Sequence, residues 1–400
     1  MGGQVCYAEP SMPRREIEAA LRRDPHDEQA WAVFGDLLAE AGDSRGELIA
    51  LEQRARACER PFERSLLEHQ ARELFDREHR RWLGSLADAG LEVSWTRGFA
   101  TEVVIGRAHT ATLEKLLELP TSALLRRVVL VRPRGVTRIA KLLAARGDRP
   151  IATLVVRDLQ GDSLEPLAEL EALTSLTIEG AAIAELASLA ALPQLRELAC
   201  RRCEGPVHAL AGFARLHALE LSAHAGVEQL GLDALAPLAE LSNLRGLDLG
   251  DAGWADIEAL ANLSALERLD LRSSEVVRLE PLRGLTALRE LNLRGCTGLS
   301  DLQPRAARTR LEHLRLGYTR VRDLRPLAKL ERLTTLDLAG TPVVDLSPLF
   351  KLPSLAKIDL KACDVDHVAP LVARGVAVHG VRARERTWRD IAEDHLRRRS

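Results

Sequence analysis

The sequence holds few residue groups that could carry out covalent chemistry. Cys200-Arg-Arg-Cys203 has the spacing of half a tetrahedral zinc site or of a dithiol redox pair. A zinc site needs a second C-x-x-C or C-x-x-H at ligand spacing, and the sequence has none. Cys363-Asp364-Val365-Asp366 sets a thiol beside carboxylates, but such a nucleophile needs a catalytic domain after it, and 25 residues follow Gly375. The eleven histidines are scattered, and H-E-x-x-H, G-x-S-x-G, G-x-x-x-x-G-K and a post-strand G-x-G-x-x-G do not occur. The expectation is a protein that is not an enzyme, with no catalytic residues, no cofactor and no metal.

What does recur is charge set between leucines. A register Leu-x-x-Leu-x-Leu starts at Ile151, Leu173, Leu195, Leu216, Leu244, Leu266, Leu288, Leu311, Leu333 and Leu355, at spacings of 22, 22, 21, 28, 22, 22, 23, 22 and 22. Of the 73 leucines, 48 lie between Ile151 and Phe350. A unit of this length places one short strand in a parallel sheet and cannot bury its leucines alone, so neighbouring units must stack into a solenoid. The residue between the last two leucines then points out from the concave sheet. That column reads Val155, Thr177, Ala199, Glu220, Asp248, Asp270, Asn292, Arg315, Asp337 and Asp359. Two residues on, the next column reads Arg157, Glu179, Arg201, Ser222, Gly250, Arg272, Arg294, Gly317, Ala339 and Lys361.

An acidic stripe therefore runs beside a partly basic one. Carboxylates in such a row stand about 4.8 Å apart, with no pocket to push one pKa away from another, which suits binding better than acid–base catalysis. The candidate partner-binding residues are Glu220, Asp248, Asp270, Arg272, Arg294, Arg315, Asp337 and Asp359, with Trp254 and Tyr318 near the strand exits as aromatic anchors. His313 and Glu290 would line the same trough. The competing reading is a solvated network in which Asp270 pairs with Arg272 or Arg294, each pair contributing about 0–1 kcal/mol.

The elements that position these columns follow from periodicity. Residues 1–12 read as disordered. Residues 13–90 read as a helical domain, with Ile17 and Leu21, then Trp31, Phe34, Leu37 and Leu38, at helix spacing, and further helices near Ser44–Ala57 and Phe62–Leu83. Residues 91–150 read as longer α/β units: Ala100-x-x-Val103-x-Ile105 and Leu125-x-x-Val128-x-Leu130 extend the register, with helical stretches at Thr112–Leu119 and Val136–Ala145. Residues 151–375 hold the short units, whose return segments carry proline, as in Asp323-Leu-Arg-Pro326-Leu-Ala-Lys-Leu330. Residues 376–400 supply a strand at Val376–Val378 and a capping helix at Arg384–Arg399, with Trp388, Ile391, Ala392 and Leu396 as its apolar stripe. The fold class expected is α/β, a solenoid with an all-α front.

The run Leu333-Thr-Thr-Leu336-Asp-Leu338-Ala-Gly-Thr341-Pro-Val-Val-Asp-Leu346-Ser-Pro348-Leu349 resembles the short leucine-rich repeats of bacterial internalins and SDS22-type proteins over roughly residues 151–371. The resemblance implies a leucine-rich-repeat solenoid with a binding role. It also makes Cys203, Ser274, Cys296, Thr319, Thr341 and Cys363 members of the inward ladder this fold usually builds from asparagine, where a small, weakly polar side chain bonds the neighbouring turn. Leu159, Ala181, His224 and Ala252 depart from that ladder. Leu21-Arg-Arg-Asp24-Pro25, Gly35-Asp36 through Gly46-Glu47, and Arg97-Gly98-Phe99 resemble the repeat-companion domain that precedes repeat arrays in some bacterial proteins.

A net charge of −2 and a pI near 6.6 exert no general pull on nucleic acid or an anionic membrane, so a protein partner is expected. Arginine is strongly preferred to lysine, as in a bacterial genome rich in G and C. The start of the chain has no Sec-type signal and no 18-residue apolar span exists, so a cytoplasmic protein with reduced cysteines is expected, with a lipidated Cys6 as the exception. Two roles fit: a scaffold or adaptor that binds protein on the concave face, or a subunit that regulates a phosphatase, kinase, GTPase or immune effector in trans.

Overall fold

The helical periodicity of the front becomes α1 (Arg14–Arg23), α2 (Glu28–Glu40), α3 (Ser44–Ala57) and α4 (Pro61–Leu83). The structure, a computed structural model, describes residues 13–106, 110–159, 162–223, 235–302, 310–365 and 367–380. It divides into two units, one ending at Glu204 and the other starting at Gly205.

In the first unit, Asp27 and Asp43 start α2 and α3 by accepting the Ala30 and Arg45 amides at 2.9 and 3.1 Å. A Cβ on Gly46 would lie 2.5 Å from the Ala39 nitrogen and 2.7 Å from the Gly35 carbonyl, so α2 and α3 touch backbone to backbone there. Ile17, Leu21, Trp31, Phe34, Leu38, Ile49 and Phe99 form the core against which these helices pack.

The periodicity did not reveal β1 (Glu92–Thr96), which pairs antiparallel with β2 (Phe99–Gly106). Thr96 faces Phe99, leaving Arg97-Gly98 as a two-residue turn with φ of 51° and 80°, the left-handed pair a tight hairpin requires. The Arg45 guanidinium lies 4.5 Å from the Phe99 ring and that of Arg97 lies 4.8 Å from Trp31. The Arg45-Gly46 and Arg97-Gly98-Phe99 motifs are thus parts of one packing unit.

From β2 the strands β3 (Arg127–Val131), β4 (Thr153–Arg157), β5 (Ser175–Glu179) and β6 (Glu197–Arg201) follow in parallel and in chain order. True helices α5 (Thr110–Glu118) and α6 (Val136–Ala144) return the early units. After β4 the returns contract to 3₁₀ turns at Glu165–Glu169 and Ile183–Ala191.

The second unit repeats a smaller motif: β7 (Ala218–Glu220), β8 (Gly246–Asp248), β9 (Arg268–Asp270), β10 (Glu290–Asn292), β11 (His313–Arg315), β12 (Thr335–Asp337), β13 (Lys357–Asp359) and β14 (Ala377–His379) lie parallel in chain order. Returns such as Glu280–Gly284, Arg325–Lys329 and Ser347–Leu349 are 3₁₀ turns with proline in the first turn, where its missing N–H costs nothing. The last return is α7 (Ala369–Ala373). The register leucines of these units are buried, each worth about 1.5–3 kcal/mol relative to exposure.

Each strand exit passes through a left-handed residue. Ala223, Asp251, Ser273, Gly295, Tyr318, Gly340, Ala362 and Gly380 have φ from 49° to 79° and turn the chain out of the sheet. The insertion near Gly226–Asp233, the extra residue near Arg305, His224, Cys6 and the capping helix expected at Arg384–Arg399 lie outside the described residues.

Candidate binding surface

Strand register sets Glu220, Asp248, Asp270, Asn292, Arg315, Asp337 and Asp359 in one row across β7 to β13. Most of these side chains first serve their own turn. Asp248 Oδ1 accepts the Gly250 amide at 2.8 Å, Asp270 Oδ1 that of Arg272 at 2.9 Å, and Asn292 Oδ1 that of Arg294 at 3.1 Å. Asp337 and Asp359 take the Ala339 and Lys361 amides in the same way, each at 2.9 Å. A carboxylate or carboxamide at this position thus satisfies the amide two residues on, leading into the left-handed exit. Leucine-flanked aspartate has a structural use before it has a recognition use.

The second oxygens of Asp248, Asp270 and Asp337 are spent on two arginines. Arg272 Nη1 donates to Asp270 Oδ2 at 2.7 Å and Asp248 Oδ2 at 3.1 Å, and its Nε donates to Asp251 Oδ2 at 2.9 Å. Asn292 Nδ2 also reaches Asp270 Oδ2, at 2.9 Å. Arg294 Nη1 reaches Asp337 Oδ2 at 2.6 Å, spanning β11. Two glycines make this possible: a Cβ on Gly250 would meet Arg272 Cγ at 2.7 Å, and one on Gly317 would meet Arg294 Nη1 and Asp337 Oδ2 at 2.9 Å. Asp251, Asn292, Gly250 and Gly317 belong to the network yet were not among the sequence candidates. The glycines' places in the arginine column were the available signal.

Charge balance follows from this geometry. Burial works against the Arg272 guanidinium, but its bond to Asp248 and the charge of Asp270 outweigh that and hold its proton more tightly than usual. Burial pushes the Asp248 carboxyl above its ordinary range, with Asp270 adding to the rise against the Gly250 amide and Arg272. Glu220 accepts from Ser222 Oγ at 2.5 Å. Arg315 is exposed and has no ion pair among the described residues, so it is the uncommitted cation of the row.

The two aromatics separate. Tyr318 is 48% exposed, adopts φ 59°, and receives the Arg294 guanidinium 4.7 Å from its ring centroid. A Cβ on Gly340 would lie 2.8 Å from the ring, so glycine there gives the tyrosine its place. Trp254 is 2% exposed and is not an exposed anchor: it lies two residues after Ala252, the register position that elsewhere holds buried Val276, Val321, Val343 and Val365. Beside the row, His313 Nδ1 pairs with Thr335 Oγ1 at 2.7 Å and Glu290 is exposed.

Cys203, Cys296 and Cys363 sit on the inward ladder. The thiols of Cys203, Cys296 and Cys363 bond the carbonyls of Ile178, Leu271 and Leu338 at 3.6, 3.1 and 3.0 Å, and Thr319 and Thr341 bond those of Leu316 and Leu338. A hydrogen bond from Cys200 lowers the Cys203 thiol to about 7. Among the described residues no group of three or more His, Cys, Asp or Glu side chains is placed to hold a metal, and no helix is long and apolar enough to cross a membrane.

A family model described as Leucine Rich repeats (2 copies) matches residues 309–351. An internalin (inlF) from Listeria monocytogenes strain 4b F2365 aligns with TM-score 0.54 and 19% identity over 71% of this chain and 87% of its own. The fold is a leucine-rich-repeat solenoid. Two looser likenesses are internalin C2 from the same strain, with TM-score 0.34 and 26% identity over 59% of this chain and 81% of its own, and a leucine-rich-repeat protein of Leptospira interrogans, with TM-score 0.37 and 14% identity over 68% and 92%. No curated protein matches the chain.

Proposed function

We propose that the chain is a non-enzymatic scaffold or adaptor that binds a protein partner across the outward rows of β7 to β13. The observation that supports this most is the preorganised Arg294–Asp337–Tyr318 group beside the uncommitted Arg315. The tyrosine is held exposed in a left-handed conformation, which costs about 1–2 kcal/mol for a residue with a side chain. An aromatic ring with little left to lose on ordering, beside a free arginine, is what binding hot spots are made of. Glu220, Asp248, Asp270, Arg272, Arg294, Asp337 and Asp359 set the rigid charged ground around it. Buried thiols at Cys203 and Cys296, each bonded to a backbone carbonyl of the neighbouring turn, support a reducing, cytoplasmic setting, and the repeat-companion resemblance of the front supports a bacterial source.

The test is affinity capture from a lysate of the source organism with the wild type, Arg315→Glu and Tyr318→Ala. Both side chains are exposed, so the variants fold. A partner retained by the wild type and lost at least tenfold by each variant (about 1.4 kcal/mol) is the expected result; capture unchanged by both would sink the assignment of this face.

A further inference from the structure

Three arginines of the first unit converge where α1 meets the turn between α6 and β4. Arg22 donates from Nη1 to the Ala123 carbonyl at 2.5 Å and from Nη2 to the Asp148 carbonyl at 2.9 Å. Arg146 donates from Nη2 to the Ser122 carbonyl at 2.8 Å and from Nε to the Arg149 carbonyl at 2.6 Å. Both guanidiniums therefore bridge the same two stretches of backbone, 122–123 and 148–149, and must stand close together. Carbonyl dipoles hold them there instead of carboxylates.

The nearby acids pair with Arg149, Arg14 and Arg15 and leave Arg22 and Arg146 without a direct carboxylate partner. Glu18 is fully buried and gives one oxygen to Arg149 at 2.5 Å and the other to Arg14 at 2.9 Å. The Asp148 carboxylate is half exposed and lies 3.7 Å from Arg15. Among the described residues, neither Arg22 nor Arg146 has a carboxylate at ion-pair distance. Burial, reinforced by Arg149 and Arg22 against the charges of Asp148 and Glu18, lowers the Arg146 guanidinium to about 10, and burial lowers Arg22 as well, against Glu18 and Asp148. The cluster is short of negative charge.

Each guanidinium carries five N–H groups, so the bonds above leave further donors on all three residues. A tetrahedral dianion matches this deficit better than a carboxylate does. It brings two charges to two cations that have no direct carboxylate partner and has oxygens enough for three planar forks. Arg22 belongs to the Leu21-Arg22-Arg23-Asp24-Pro25 run, which has no part in the sheet rows of the second unit.

We propose that Arg22, Arg146 and Arg149 form a binding site for a phosphate group, supplied either by inorganic phosphate or by a phosphorylated side chain. The backbone carbonyls fix the Arg22 and Arg146 guanidiniums before the ligand arrives, and Arg149, held by Glu18 and with its side chain 30% exposed, supplies the third fork.

The experiment titrates the full chain with sodium phosphate against sodium chloride at matched ionic strength. It reads the unfolding midpoint and the phosphorus NMR line width, and a second arm uses a phosphoserine peptide and its unphosphorylated twin. The wild type is expected to show a saturable rise in midpoint and broadening with phosphate only. Arg149→Gln is expected to weaken binding about tenfold, the loss of a charged hydrogen bond. Arg146→Lys keeps the charge but lacks the fork, and is expected to weaken it several-fold. Tighter binding of the phosphopeptide with the same sensitivity to both variants assigns a phosphorylated side chain; binding of inorganic phosphate alone assigns the free anion. No saturable effect beyond chloride, or wild-type binding by both variants, overturns the site.

Discussion

Asp270 separates the two uses of the acidic row. Its Oδ1 takes the Arg272 amide at 2.9 Å, and its Oδ2 takes Arg272 Nη1 at 2.7 Å and Asn292 Nδ2 at 2.9 Å. Asp270→Asn keeps the turn acceptor, as Asn292 does one strand on, and loses the charge together with the Oδ2 acceptor that Arg272 and Asn292 share. With Asp270 23% and Arg272 32% exposed, and Asp248 and Asp251 still on the arginine, that loss is worth about 0.5–1 kcal/mol. Asp270→Ala also removes the turn bond, worth about 1 kcal/mol by analogy with a helix cap, so it should cost about 2 kcal/mol in all. Urea unfolding followed by circular dichroism measures both, and hydrogen exchange at the Arg272 amide should stay protected in Asp270→Asn and become fast in Asp270→Ala. The Asn deficit should shrink in about 1 M salt, where surface pairs are screened. Equal costs for the two variants, or an unprotected Arg272 amide in Asp270→Asn, would refute the turn-bond argument.

Ala362→Gly should stabilise by about 0.5–1 kcal/mol, because Ala362 sits exposed at φ 60°, a conformation glycine adopts freely; thermal unfolding checks it. Gly46→Ala should destabilise by about 1–3 kcal/mol or more, since its Cβ would lie 2.5 Å from the Ala39 nitrogen, and urea unfolding reads the loss. Trp254→Ala should cost about 3–5 kcal/mol as a core deletion, whereas a surface anchor would leave the midpoint unmoved. For Asp248, a folded pKa above the ordinary 3.8 means that the folded state holds the proton more tightly than the unfolded chain does. The wild type should therefore lose stability relative to Asp248→Asn as pH rises through the carboxylate range; a relative gain would contradict the sign.

The solenoid was legible because leucine spacing is set by stacking: one misplaced leucine would leave a unit unable to bury its face. The α3 bounds and the proline returns were legible for equally local reasons. The β1 strand was not, since Glu92–Thr96 carries no repeat register and is fixed by the Arg97-Gly98 turn and by packing. The acidic column was visible, but its first role was not. Alternation shows which side chains point outward, and it does not show that an outward oxygen reaches the amide two residues later. Trp254 misled by residue type alone; counting two residues from the ladder position would have buried it beside Val276 and Val343.

The central claim is that the rows of β7 to β13 meet a protein. A photo-crosslinking residue placed at position 315 on the sheet row, and separately at Glu331 on an exposed turn between units, tests it most directly. After irradiation in cells of the source organism, position 315 should give a discrete adduct identifiable by mass spectrometry and position 331 should not. Adducts from 331 alone, or the same adducts from both positions, would contradict the claim.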